Sequence, residues 1–181
     1  MPTALSTTAV SGLNGNMHMF TRLLAAIAPL LCTWCLAPQA LAYVDPTTGL
    51  PYATRITRPA EIPEKNWMPG HRGVDLALRV GATVLAADNG TVAFVGKVAG
   101  TPIISIDHPD GIRTTYQPVH ARVRQGDEVK LGDAIGTLAR PTGPQAHLQD
   151  GLHWGALIAK DTYINPLSLL STPTIRLKPT R

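Results

Sequence analysis

The sequence predicts a mostly β, antiparallel, hairpin-rich domain, and three observations carry that prediction. From Gly70 to Ile158 the apolar residues come in short, β-branched runs, and no ten-residue stretch there has helical spacing. Asp88-Asn89-Gly90 and Pro109-Asp110-Gly111 supply hairpin turn chemistry, with a glycine able to take positive φ. In Val123–Gly136, glycines at 126, 132 and 136 punctuate apolar residues at 123, 129, 131 and 135, as tight turns between short strands do.

The elements follow in chain order. Residues 1–42 carry one charged side chain, Arg22, before an apolar run from Leu23 to Leu36 that Pro29 interrupts. The run ends in Ala40-Leu41-Ala42, a small-x-small exit. That order describes a secretory signal peptide cleaved near Ala42, and the run falls short of the roughly 20 apolar residues that a spanning helix needs. The expectation is therefore a secreted or cell-envelope protein with no membrane span in its mature form. The first 16 residues are unlike a signal-peptide n-region, so Met17 and Met19 are alternative starts. Residues 43–68 hold Pro46, Pro51, Pro59 and Pro63 without periodicity and read as a Pro-rich lead-in. Residues 69–172 are the domain, and 173–181 a C-terminal tail. Within the domain the expected strands are Thr83–Ala86, Thr91–Val95, Ile103–Ile106, Ile112–Tyr116 and Leu152–Ile158, the first two and the next two forming hairpins.

Composition excludes several functions. Both cysteines, Cys32 and Cys35, lie in the leader, so the mature chain has neither disulfides nor thiol chemistry. Neither fits a lipoprotein site, since Leu31 and Trp34 stand where a small residue is required. Residues 43–181 hold 15 Lys+Arg, all but Arg22, against all 12 Asp+Glu. That mildly basic balance suits an anionic cell envelope, and without basic runs or aromatic interleaving it gives no support for nucleic acid. The Val123–Gly136 pattern also occurs in lipoyl and biotinyl carrier domains and signals a barrel-sandwich topology. Lys97 is the one candidate for a modified hairpin lysine, but no Met-Lys or Asp-Lys pair accompanies it.

The chemistry-bearing strings lie at the two ends of the domain. In Pro69-Gly70-His71-Arg72-Gly73-Val74-Asp75 a histidine and an aspartate stand four residues apart. Pro69, Gly70 and Gly73 argue against a helix, and four extended residues span about 13 Å, too far to share one metal at about 2 Å. The chain must curl for the pair to act together, and Gly73 would permit it. Taken alone, the pair is equally an exposed polar loop. At the other end, Leu152-His153-Trp154-Gly155-Ala156-Leu157-Ile158 reads as a strand with Leu152, Trp154, Ala156 and Ile158 on one face and His153 on the other, beside the space left by Gly155.

The order G-H-x-G-V-D, β-hairpins, V-x-x-G-D-x-V-x-x-G-x-x-I-G, then L-H-W-G resembles the lysostaphin/LytM-type zinc endopeptidases of bacterial cell walls, over roughly residues 67–170. The resemblance implies the duplicated hybrid motif fold, a β-sandwich/barrel-sandwich hybrid with a zinc groove. It implies zinc held by His71, Asp75 and His153, with an open fourth position for water. It implies hydrolysis of peptide bonds in peptidoglycan stem peptides or cross-bridges.

The sequence also departs from that family. Two non-ligand histidines expected to position water and stabilise the oxyanion are replaced, one by Gly151 and the other by Pro118 in Tyr116-Gln117-Pro118. His120 and His147 are the candidate substitutes, His147 on a loop that splits the usual T-G-P-H-L-H string. The alternative reading is a catalytically degenerate zinc-binding domain that binds cell wall or regulates a partner hydrolase. Other residues have plainer readings. His108 is structural at a hairpin turn, and Gly126-Asp127-Glu128 is a solvated turn. Trp67 is either a groove lining or packing before the first ligand. Arg72 is an exposed arginine or a carboxylate contact, and Tyr163–Leu170 closes the domain.

Overall fold

A computed structural model describes residues 43–141 and 151–172. The strands are β1 (Ile56–Arg58), β2 (Val74–Ala77), β3 (Thr83–Leu85), β4 (Gly90–Val98), β5 (Thr101–Asp107), β6 (Arg113–Gln117), β7 (Val119–Ala121), β8 (Glu128–Val129), β9 (Ala134–Leu138), β10 (Gly151–Ala159) and β11 (Thr162–Ile164). A 3-10 turn, Pro166–Leu169, follows, with Asn165 at its N-cap accepting from the Leu167 N–H. No α-helix occurs among the described residues, and none of their elements is long and apolar enough to cross a membrane as a helix.

The strands form two open antiparallel sheets. One runs β1-β2-β10-β6-β5-β4-β8, with β11 also paired to β10, and the other runs β3-β9-β7. Leu76, Tyr116, Ile104, Ile106, Leu152 and Trp154 from the first and Val84, Val119, Ile135 and Leu138 from the second are fully buried and form one cluster. Alternation explains the sidedness. On β10, Leu152, Trp154 and Ala156 go to the core, and His153, Gly155 and Leu157 go to the opposite face. The all-β, antiparallel prediction holds.

The pairing differs from the sequence reading in one respect. The Pro109-Asp110-Gly111 turn joins the paired strands β5 and β6, with Gly111 at φ 84°. The Asp88-Asn89-Gly90 turn joins strands of different sheets: β3 pairs with β9, and β4 pairs with β5 and β8. Ala86, Ala87 and Asp88 are buried at this crossing. The Asn89 side chain accepts from the Leu131 N–H at 3.0 Å and its carbonyl accepts from His108 Nδ1 at 2.7 Å, so the turn is held by long-range partners.

The lead-in is packed into the domain. Tyr43 is 1% exposed and belongs to the core cluster. Its hydroxyl donates to Asp110 Oδ2 at 3.0 Å and its ring meets the edge of His108. Buried Asp45 caps the turn after it, accepting from the N–H groups of Thr47 at 2.8 Å and Thr54 at 3.1 Å. His108 has the structural place expected of it. Its Nδ1–H serves Asn89, its Nε2 lies 2.7 Å from the Thr114 hydroxyl, and that hydroxyl donates to Tyr116 at 2.9 Å. Burial pushes the Tyr116 phenol up to about 12, against the hydrogen bonds from Thr114 and the Ala87 N–H. Tyr163–Leu170 closes the domain through β11 and through Leu167, Leu169 and Leu170, which pack on the core.

Candidate metal centre

His71, Asp75 and His153 meet on the exposed face of the larger sheet. β2 and β10 pair antiparallel with His153 directly opposite Asp75, so the two side chains rise from one face as cross-strand neighbours. His71 precedes β2 and is brought over the pair by the loop Pro69–Gly73. An isolated two-way backbone bridge to Glu61 at 2.9 Å fixes that loop.

The three donor atoms form a nearly equilateral triangle. His71 Nε2 lies 3.0 Å from Asp75 Oδ1 and 3.1 Å from His153 Nδ1, and His153 Nδ1 lies 2.9 Å from Asp75 Oδ1. His71 Nδ1 donates to the carbonyl of Pro59 at 2.6 Å. Its Nε2 lone pair therefore points at the triangle, in the arrangement by which a backbone carbonyl fixes a ligating imidazole. Burial of Asp75 would push its carboxyl up. The hydrogen bond and charge of His153, together with those of His71, outweigh this and hold the carboxyl below its ordinary value.

The donor set fits a zinc ion. Two imidazole nitrogens and one carboxylate oxygen converge from three sides, and tetrahedral ligands at about 2.0–2.1 Å stand only a little over 3 Å apart. All three side chains are at least mostly buried, His153 being the most open at 14%. The site thus lies on the face of the sheet, with the His153 side toward solvent.

The structure places the other candidates as follows. His120 is on β7 of the smaller sheet, opposite Thr137, exposed, and among the described residues has no hydrogen bond to the cluster. His147 lies outside the described residues. Trp67 is 80% exposed, with the Lys65 ammonium 5.4 Å over its ring. Arg72 is half-buried and braces the loop. It donates to the carbonyls of Asn66 and Met68 and stacks over Tyr163 at 5.8 Å, while the Asn66 amide donates to the Asp161 carbonyl.

Sequence reasoning missed Gln117. It stands opposite His153 on the strand edge away from Asp75, so the exposed face carries Asp75, His153 and Gln117 in one cross-strand row. The only available signal was its place beside Tyr116, whose burial in the core sends the next side chain outward.

Comparison with known proteins bears on the family and the fold. The chain is 42% identical over 164 residues to an uncharacterized protein of Mycobacterium tuberculosis, covering 87% of this chain and 65% of that one. It thus spans just under two thirds of that relative's length. Helicobacter pylori Csd3 is similar in structure with a TM-score of 0.55 and 28% identity, over 76% of this chain and 35% of that one. The antimicrobial peptidase lysostaphin from Staphylococcus simulans shares the fold with a TM-score of 0.56 at 22% identity, over 71% of this chain and 52% of lysostaphin. Residues 69–166, which run from the loop bearing His71 through the strand bearing His153, match peptidase family M23, and the chain belongs to that family.

Proposed function

We propose that this protein is a zinc-dependent endopeptidase that hydrolyses peptide bonds in bacterial peptidoglycan, acting in the cell envelope after export. The observation that carries this reading is the triangle of His71 Nε2, Asp75 Oδ1 and His153 Nδ1 with 2.9–3.1 Å sides. Zinc bound there supplies a Lewis acid and a water of lowered pKa. His71, Asp75 and His153 would hold it, the Pro59 carbonyl accepting from His71 Nδ1 and so leaving Nε2 free to ligate. The Gln117 side-chain amide, which the register sets beside His153, would donate to the scissile carbonyl oxygen as it gains charge.

The second reading is a zinc-binding domain that engages wall peptide, or a partner hydrolase, without cutting. Gly151 and Pro118, standing where the resemblance expects histidines, favour it. One experiment separates the two. The full chain, loaded with zinc, is incubated with intact peptidoglycan, with His153→Ala as the blank, and released fragments are read by mass spectrometry. New peptide termini absent from the blank support the endopeptidase and name its bond. None, with zinc bound and the fold intact, leaves the binding domain.

A further inference from the structure

The row of side chains at the metal centre does not end at Asp75. Arg58 on β1 is the partner of Asp75, so the row runs Arg58, Asp75, His153, Gln117 across four strands. Directly opposite residues of an antiparallel pair share a face, which puts Arg58 on the face that carries the metal ligands. It stands one strand spacing, about 4.8 Å, from Asp75 and two, about 10 Å, from His153.

A bulge puts it there. Ile56 pairs with Leu76, so in a regular ladder Thr57 would face Asp75 and Arg58 would face Val74, which is buried in the core. The register shifts between Ile56 and Arg58, and the extra residue turns Arg58 back toward Asp75. The Thr57 hydroxyl donates to the Asp75 carbonyl at 3.0 Å and fixes the bulge against β2. A second arginine shares the face. The Ala77 N–H donates to the Arg55 carbonyl at 2.9 Å, which sets Arg55 opposite Ala77, two residues along β2 from Asp75.

Both arginines are exposed, and neither has an ion pair among the described residues. The acids nearby are engaged otherwise. Asp75 belongs to the donor triangle, and Asp45 accepts from the Thr47 and Thr54 N–H groups. Glu61 meets His71 through its backbone and makes no ion pair among the described residues. β1 also lies outside residues 69–166, so these cations are an addition to the region that matches the family.

We propose that Arg58, assisted by Arg55, selects substrates by binding a carboxylate on the peptide held at the metal centre. The guanidinium fork of Arg58 takes the carboxylate, and Arg55 adds a second positive charge beside it. An extended peptide rises about 3.3 Å per residue, so the carboxylate belongs to a residue within about two of the scissile bond. The assignment rests on the peptidase reading for where the peptide lies, and its chemistry can be tested without turnover.

The test titrates the zinc-free full chain with two terminally blocked tripeptides, Ala-Glu-Ala and Ala-Gln-Ala. Without zinc the carboxylate has no ion to ligate and no bond is cut. Arginine Nε–H signals are followed by NMR, those of Arg58 and Arg55 being assigned by their loss in Arg58→Gln and Arg55→Gln. The Glu peptide is expected to shift both signals and to bind roughly tenfold tighter than the Gln peptide, as one charge-assisted contact provides. Arg58→Gln is expected to remove the preference and Arg55→Gln to reduce it. Lys97→Gln, at an exposed position on β4, is expected to keep it. Equal affinity for the two peptides would overturn the proposal. So would a preference that survives Arg58→Gln in a protein with unchanged thermal unfolding, or tighter binding of inorganic phosphate than of the Glu peptide. A Glu preference without wall cleavage removes the peptidase reading alone, and wall cleavage without a preference removes the role of the arginines alone.

Discussion

Gly73 and His153 are in steric register: a Cβ built on Gly73 would stand 2.7 Å from Nε2 of His153 and 2.5 Å from the Trp154 carbonyl. Gly73 is not among the residues with positive φ, so it is required for space and not for a left-handed backbone. The glycine lets β2 lie against β10 closely enough for Asp75 and His71 to meet His153.

Gly73→Ala should therefore displace the His153 ring and open the triangle. Zinc affinity is expected to fall about 10–100-fold, the range seen when the support of a metal ligand is lost. Competition with a chromophoric chelator measures this. Gly81→Ala is a control at a site with open space around it, and its strain from positive φ should lower stability without altering zinc affinity.

Gln117→Ala is expected to lower kcat about 10²-fold, the cost of removing one oxyanion donor, with KM and zinc content unchanged. Steady-state kinetics on the peptide identified from the wall digest would show it. A loss confined to KM, or a drop in thermal stability that accounts for the lost rate, would give Gln117 a structural role.

Alkaline pH should destabilise the fold through Tyr116. Its phenol is pushed up to about 12 by complete burial, so between pH 10 and 12 the unfolded chain has released a proton that the native state keeps. Stability is fully present below about pH 10 and falls by up to roughly 1.4 kcal/mol per pH unit above it. Tyr43, raised by burial and by the neighbouring Asp110 carboxylate, adds to the slope. Urea unfolding at pH 9 and 11 is expected to show a smaller loss in Tyr116→Phe than in the unaltered protein, although the Phe variant starts less stable because the Ala87 N–H loses its acceptor.

The residues before the loop that bears His71 should matter to stability. Tyr43→Ala empties a buried site in the core cluster and is expected to cost about 3 kcal/mol or more, and Tyr43→Phe, which loses only the hydrogen bond to Asp110, about 1 kcal/mol. Chemical denaturation of both variants checks this. A neutral Tyr43→Ala would mean that the segment is dispensable.

The sequence by itself determined the all-β class and the strands β3, β4, β5, β6 and β10. Alternation along Leu152–Ile158 set His153 opposite the core, because side chains on a strand change face at every residue whatever it pairs with. His71, Asp75 and His153 were named together through the resemblance that the ordered strings carry, because the H-x-x-x-D pair by itself reads equally as an exposed polar loop. Tertiary structure decided which strands are partners. Asp88-Asn89-Gly90 looks like a hairpin turn, yet β3 pairs with β9 in the other sheet, Val84 opposite Gly136 and buried in the core, and no local propensity records that choice. Pairing of β2, β10 and β6, distant in the chain, made Asp75, His153 and Gln117 neighbours and placed the Pro59 carbonyl behind His71. Pairing depends on which apolar faces bury each other across long loops, so these relationships exist only once the sheet has closed.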